Sequence, residues 1–306
     1  MQKTFFFNNS ISPTVIQLSR YLQEAGWQIN VNTAYLSDVH LDYPQLQHLE
    51  HKHLLAQFLE PDLLWMIPKT VCLDEKNWVE QLDILLKTNG AQTPWILKPA
   101  LLNNGQHIHL FADLTQVFKH YAQAKRLGGP HVLQHYIQFP HLLKGPEKGH
   151  KYSIRMFMAL KNQCAFLYPK GYFNIALTPY AADDLSLLTA HLTNEHLGHG
   201  TRNVAQIPTS QYPIFNEFYP QIVKICKALA QKFLQVIDEK TSKFALLGID
   251  LMVDSQEQLW LLEVNHGPCF PTDEGHPLYF KLYDDFWRAL VCEILENHEI
   301  SNFLVL

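Results

Sequence analysis

Asp250, Glu263 and Asn265 stand on two apolar runs, LLGIDLMVD and LWLLEVN, joined by the polar, turn-like SQEQ. Paired as a hairpin, these runs would aim three oxygen-bearing side chains at one point, a donor set that suits Mg²⁺ bridged to phosphates. Side chains alternate along a strand, so Glu263 and Asn265 share a face while Leu262 and Val264 point into the opposite layer. Both acids interrupt segments too apolar to be solvated edges, where a carboxylate is costly unless paired or metal-bound. The alternative is a pair of strand-end surface acids; convergence of two acids and an amide favours the metal reading.

Cations occur where such a site needs them. Lys98 ends the apolar run WILK, is followed by Pro99, and borders the polar loop ALLNNGQH, so its ammonium could neutralise a phosphate or stand at a surface strand end. Lys151, Ser153 and Arg155 share one strand face in KYSIR, with Ile154, Phe157 and Ala159 expected on a packed opposite face. The cationic face then lines either solvent or a cleft. Gln134-His135-Tyr136-Ile137 ends a strand begun at Val132-Leu133, an edge of the kind at which backbone groups read a nucleotide base. In His191-Leu192-Thr193-Asn194, hydroxyl and amide groups could meet phosphate or metal, or form an ordinary capped turn.

The elements that must position these residues follow from periodicity and turn chemistry. A strand at Thr4–Phe7, an amphipathic helix over Pro13–Ala25 and a strand near Trp27–Val31 make a small βαβ opening. Residues 43–59 read as helical. The spacing places an N-terminal α/β subdomain over residues 1–60, a central subdomain over 61–150 and a C-terminal one, with the metal hairpin, over 151–306. Within the central part we expect a helix over 76–90, a strand at Trp95–Leu97 running into Lys98 and pairing with Ile108–Phe111 across a polar tip, a helix over 115–126 and a strand over 131–137. Beyond a linker at 143–150 we expect strands at 152–160 and 165–168, a turn at Lys170-Gly171, a loop over 197–210 and a helix over 221–237.

The chain has 306 residues, 24 Lys and Arg against 29 Asp and Glu, and a formal charge of −5. It therefore carries no global basic field for nonspecific nucleic-acid binding. Seventeen His are scattered without a Cys partner set at zinc spacing, and five widely spaced cysteines favour reduced thiols in a cytosol-like compartment. The opening MQKTFFFNNSIS is too short in apolar residues for a signal peptide or membrane span, so a soluble, cytoplasmic protein without membrane contact is expected. Nothing in the sequence specifies an oligomeric state.

Taken in order, PKT at 68–70, WILKP at 95–99, VLQHYI at 132–137, KYSIR at 151–155, HLTN at 191–194, LLGIDLMVD at 246–254 and LLEVN at 261–265 resemble the tubulin tyrosine ligase-like proteins of the ATP-grasp superfamily. The resemblance covers roughly residues 60–275 and implies an α+β, ATP-grasp fold in which two subdomains hold ATP between them. It implies Lys98 on the nucleotide phosphates, Gln134, Tyr136 and Ile137 at the adenine, Lys151 and Arg155 facing phosphates and the activated carboxylate, Thr193 and Asn194 on the phosphate side, and Met252 beneath the base. Asp250, Glu263 and Asn265 would hold Mg²⁺. The implied reaction is ATP-dependent formation of an acylphosphate that an amino group attacks, joining an amino acid to a protein acceptor, tubulin or another. Two positions depart from the family pattern: Ser153 stands where many members have Asp, and Asn174 where they often have Arg. These departures motivate one alternative, a catalytically reduced nucleotide-binding module that uses the fold to bind a partner; a further alternative is an ATP-grasp ligase acting on a small molecule.

Overall fold

Ser12 begins the first helix by accepting a hydrogen bond at its Oγ from the Val15 backbone N–H, with Pro13 at the first helical position. This computed structural model describes residues 2–7, 12–30, 37–41, 46, 48–89, 93–123, 126–144, 149–197, 202–237 and 243–306. The N-terminal part contains β1 (Thr4–Phe7), α1 (Pro13–Glu24), β2 (Gln28–Asn30), β3 (Val39–Leu41) and α2 (Lys52–Leu59). Next come β4 (Thr70–Leu73), α3 (Trp78–Asn89), β5 (Trp95–Pro99), β6 (His109–Phe111), α4 (Leu114–Gln123) and β7 (His131–His135). The remainder comprises β8 (Tyr152–Lys161), β9 (Cys164–Ala176), α5 (Leu188–His191), β10 (Val204–Pro208), α6 (Phe215–Leu234), β11 (Lys243–Val253), β12 (Leu259–His266), α7 (Asp284–Ala289) and β13 (Leu304–Val305).

These strands form two sheets. The smaller has four strands in the order β4-β7-β5-β6. The larger has nine and runs β10-β9-β8-β11-β3-β1-β2, with β12 also on β11 and β13 on β9. The opening βαβ unit belongs to this larger sheet: β1 pairs in parallel with β2 and β3, and β3 joins β11 at Lys243 and Phe244. Helices packed on two mostly antiparallel sheets agree with the α+β architecture expected.

Each face of the large sheet has its own apolar core. Leu229, Ile222, Ile225 and Phe233 of α6 pack with Met156, Met158 and Leu160 of β8 on one face. On the other, Leu18 and Leu22 of α1 meet Phe286 and Trp287 of α7 and Phe157 of β8. A third core lies between the small sheet, α3 and α4.

Several expectations change. Phe157 and Ala159 do not face away from Arg155; they continue its face into the second core, while Ile154 faces the first. No turn occurs at Lys170-Gly171, because β9 runs through both residues and a bulge, which shifts register between Arg155 and Phe157, takes up the extra length. Residues 204–208 form β10 rather than loop. Helix α6 begins at Phe215 and passes through Pro220. Pro220 and Asn216 both lie on its exposed side, where the carbonyl that lacks the proline N–H can be hydrated. The helical expectation for 43–59 is met by a short turn at His48–Glu50 and by α2; residues 42–45 and 47 of that stretch, the helix end at Gly90, Arg126's neighbours 124–125 and linker positions 145–148 lie outside the described residues.

Candidate active site

β11 and β12 pair antiparallel as the hairpin requires, with Asp250 opposite Glu263 and Gly248 opposite Asn265. The Asn265 Nδ2 donates to Asp250 Oδ2 at 3.0 Å and to Glu263 Oε1 at 3.3 Å, so the three side chains do meet. Arg155, across on β8 and in register with Asp250, grips that carboxylate bidentately, at 2.6 Å from Nε and 2.7 Å from Nη2. Glycine at 248 makes this reach possible, since a Cβ there would stand 3.1 Å from Arg155 Nη1 and 2.8 Å from Pro268.

The acids titrate in opposite directions. Burial, with help from the Glu263 charge, pushes Asp250 up to about 6 despite Arg155. Burial also opposes ionisation of Glu263, but Lys52, the hydrogen bond shared with Asp250, Arg155 and Lys98 outweigh it and hold Glu263 down at about 2. Arg155 is likewise opposed by burial and held charged by Asp250, well above the ordinary guanidinium value.

Lys98, on β5, feels the Glu263 charge, and Lys151, just before β8, lies near Lys98. Lys98 Nζ donates to Gln134 Oε1 at 2.9 Å, and Gln134 Nε2 donates to Thr70 Oγ1 at 2.8 Å. Burial lowers Lys98 to about 8; burial and the neighbouring Lys98 lower Lys151 to about 7.

Lys151 is oriented by a chain whose direction is fixed at its far end. The Asp184 carbonyl can only accept, so His191 Nε2, 2.8 Å away, carries the proton and Nδ1 is an acceptor. Tyr136 therefore donates its hydroxyl to Nδ1 at 2.7 Å, and its oxygen accepts from Lys151 Nζ at 2.8 Å. The ammonium also lies 4.3 Å from the Tyr136 ring centre and 5.7 Å from that of Tyr180. The backbone N–H of Tyr136 is bonded to the Pro94 carbonyl at 3.0 Å, so the phenol, not that N–H, is what Tyr136 turns toward the site.

One cavity of about 360 Å³ between the two sheets is lined by every residue singled out above: Lys98, Gln134, Tyr136, Ile137, Lys151, Arg155, Thr193, Asn194, Asp250, Met252, Glu263 and Asn265. Ser153 and Asn174 line it too. Ile96, Ile108 and Leu192 form one apolar cluster in its wall with Tyr136, and Met252 lines it as well. The polar tip between β5 and β6 closes over it at Gly105, whose positive φ of 67° and lack of a side chain admit Leu197 and Asn194. A Cβ at Gly105 would stand 2.9 Å from Leu197.

Lys52 and Gln206 also line the cavity and carried no sequence signal. Lys52, in the first turn of α2, lies 3.9 Å from Glu263 and donates to the Leu102 carbonyl at 3.0 Å, bridging the β11–β12 hairpin and the β5–β6 loop. Only tertiary packing brings it there. The donor set of two facing carboxylates and an amide fits a divalent ion that retains several waters, such as Mg²⁺. No group of three or more His, Cys, Asp or Glu that could hold a metal ion occurs among the described residues, so such an ion would depend on Asn265 and waters beside the two carboxylates.

The model of the tubulin-tyrosine ligase family matches residues 35–298. Among similar proteins, tubulin glycylase 3D of Tetrahymena thermophila is 27% identical over 240 residues, covering 70% of this chain and 22% of the relative. Tubulin polyglutamylase TTLL6 of Mus musculus is 23% identical over 270 residues, covering 76% of this chain and 31% of the relative. Protein polyglycylase TTLL10 of Macaca fascicularis is 25% identical over 250 residues, covering 67% and 38%. The chain thus matches less than two fifths of the length of each of these relatives. With the family match spanning most of its residues and the motif residues gathered in one cleft, this chain belongs to the tubulin-tyrosine ligase family.

Proposed function

We propose that this chain is an ATP- and Mg²⁺-dependent carboxylate–amine ligase that joins an amino acid to a protein acceptor, tubulin or another. The observation that carries the reading is the cavity between the sheets, where the cations Lys98, Lys151 and Arg155 share one space with the buried Asp250, the half-buried Glu263 and apolar side chains. The relatives' names, tubulin glycylase, tubulin polyglutamylase and protein polyglycylase, support a protein acceptor. Five unpaired cysteines support a reducing, cytoplasmic setting, and no helix among the described residues is long and apolar enough to cross a membrane.

In this reading Ile137 and Met252 contact the base, and Gln134 orients Lys98 toward the phosphates. Lys151, held by Tyr136 and His191, and Arg155, held by Asp250, face the phosphoryl group and the carboxylate that receives it. Thr193 and Asn194 close the phosphate side with the Gly105 tip, which excludes water from a hydrolysable acylphosphate. Transfer of the γ-phosphoryl group to the carboxylate releases ADP, and the amine then displaces phosphate to form the amide. Asp250, Glu263 and Asn265 would hold Mg²⁺, which when bound offsets charge on the phosphates.

The test is amino-acid-dependent ADP release, measured with and without tubulin. Release that needs a protein acceptor supports the proposal. Release without any protein points to the small-molecule alternative, and nucleotide binding with no turnover on a broad acceptor panel points to a binding module.

A further inference from the structure

Residues 267–271 form a strap that leaves the end of β12 just beyond Asn265, and Gly267, Pro268 and Cys269 of the strap line the cavity. Two of its five residues, Pro268 and Pro271, are prolines without an N–H, so the strap cannot continue the β11–β12 ladder. Its carbonyls are held instead by the first turns of α1. The Thr14 hydroxyl donates to the Pro268 carbonyl and lies 3.2 Å from that of Gly267, and Gln17 Nε2 donates to the Pro271 carbonyl at 2.7 Å.

Thr14 is 1% exposed and Gln17 3%, and with Leu18 and Tyr21 they follow the i, i+3, i+4, i+7 spacing of a buried helix face. A polar side chain on such a face is costly unless it is hydrogen-bonded, and the strap carbonyls are what bond these two. Helix α1 precedes residues 35–298, the stretch that the family model matches.

The strap bears on the charged end of the site. Pro268 and the Arg155 guanidinium crowd one point above Gly248, where a Cβ would stand 2.8 Å from Pro268 and 3.1 Å from Arg155 Nη1. Between the two held carbonyls, Phe270 is fully buried, with its ring 4.9 Å from that of Phe157 and 4.6 Å from that of Trp287. Apolar packing is non-directional, so Phe270 sets the depth of the strap. The hydrogen bonds at Pro268 and Pro271 set which way its backbone turns, and so where Pro268 stands against Arg155.

We propose that Thr14 and Gln17 are positioning residues of the site: α1 holds the strap, and the strap helps to hold Arg155 at the phosphoryl group and the carboxylate. The opening βαβ unit thereby acts in catalysis. This rests on the ligase reading given above. The test pairs peptide-resolved hydrogen exchange with ADP-release kinetics on the full chain, supplied with ATP, Mg²⁺, a mixture of the standard amino acids and tubulin. Thr14→Val keeps the shape and removes the donor, Thr14→Ser keeps the hydroxyl, and Gln17→Met removes only the amide.

Thr14→Val and Gln17→Met should each speed exchange roughly tenfold over residues 265–271, where the Gly267 N–H bonds the Leu246 carbonyl at 2.8 Å, and leave α6 unchanged. In both, kcat should fall about tenfold with the KM for ATP within about twofold, because Arg155 serves the transfer rather than the base. Thr14→Ser should restore both readings. Wild-type kcat in Thr14→Val, a Thr14→Ser as impaired as Thr14→Val, or faster exchange spread over the whole chain would overturn the assignment. So would a wild-type strap that exchanges like unstructured chain, a measurement that needs no variant to fold. Wild type that releases no ADP would instead contradict the ligase reading, and the exchange measurements would still decide whether α1 holds the strap.

Discussion

Lys98 and Lys151 are ammonium groups held out of water, and their behaviour with pH follows from that. Their values, about 8 and about 7, lie below the ordinary 10.5, so between these limits the unfolded chain binds more protons than the folded one. Their contribution to stability is therefore unfavourable at lower pH and improves as pH rises from about 7 toward 10.5. Polyanionic phosphate favours the charged forms, so nucleotide binding at pH 8 should take up protons. Calorimetry in buffers of different ionisation heat measures the number; proton release on binding would contradict the placement of these lysines on phosphates. Tyr136 and His191 act on Lys151 in series. Tyr136→Phe and His191→Phe should each weaken nucleotide affinity, with the double variant little worse than Tyr136→Phe alone; additive losses would show that His191 does not act through Tyr136.

At the scale of elements, the β5–β6 tip and α6 carry separate tasks. Gly105 has a positive φ and no room for a side chain, so Gly105→Val should destabilise by about 1–3 kcal/mol and weaken nucleotide binding by displacing the tip from Leu197 and Asn194. Denaturant titration alongside nucleotide titration checks both; unchanged affinity would free the tip from any role in closure. Leu229→Ala, in the core of α6 beneath β8, should cost about 2–5 kcal/mol of stability. In chemical unfolding of the chain, a loss well under this would show that the core there collapses around the cavity. Strands with alternating or continuous apolar residues, β5, β8, β11 and β12, were legible from the sequence because the period of two is imposed by burial. β10 was not, because Gln206 faces a polar cavity and breaks the apolar signal. The Lys170-Gly171 pair resembles a turn locally, but pairing of β9 with β8 on both sides absorbs it as a bulge.

For the whole molecule, the order of motifs read along the chain predicted which residues meet, because in a single-cleft fold the chemistry-bearing strand ends converge between two sheets. Lys52 escaped notice for the converse reason: α2 is a short helix with no motif, and its place beside Glu263 depends on how it docks against β12 and β7. Nucleotide in the cleft would contact both sheets, so its binding should raise the stability of the chain as a unit. The most direct measurement is a thermal-shift titration with ATP and Mg²⁺ on wild type and on Glu263→Gln. We expect the melting temperature of wild type to rise with nucleotide and to depend on Mg²⁺, and the rise to be largely lost in Glu263→Gln. No stabilisation of wild type at saturating Mg²⁺ and ATP would contradict the assignment of the cleft to ATP.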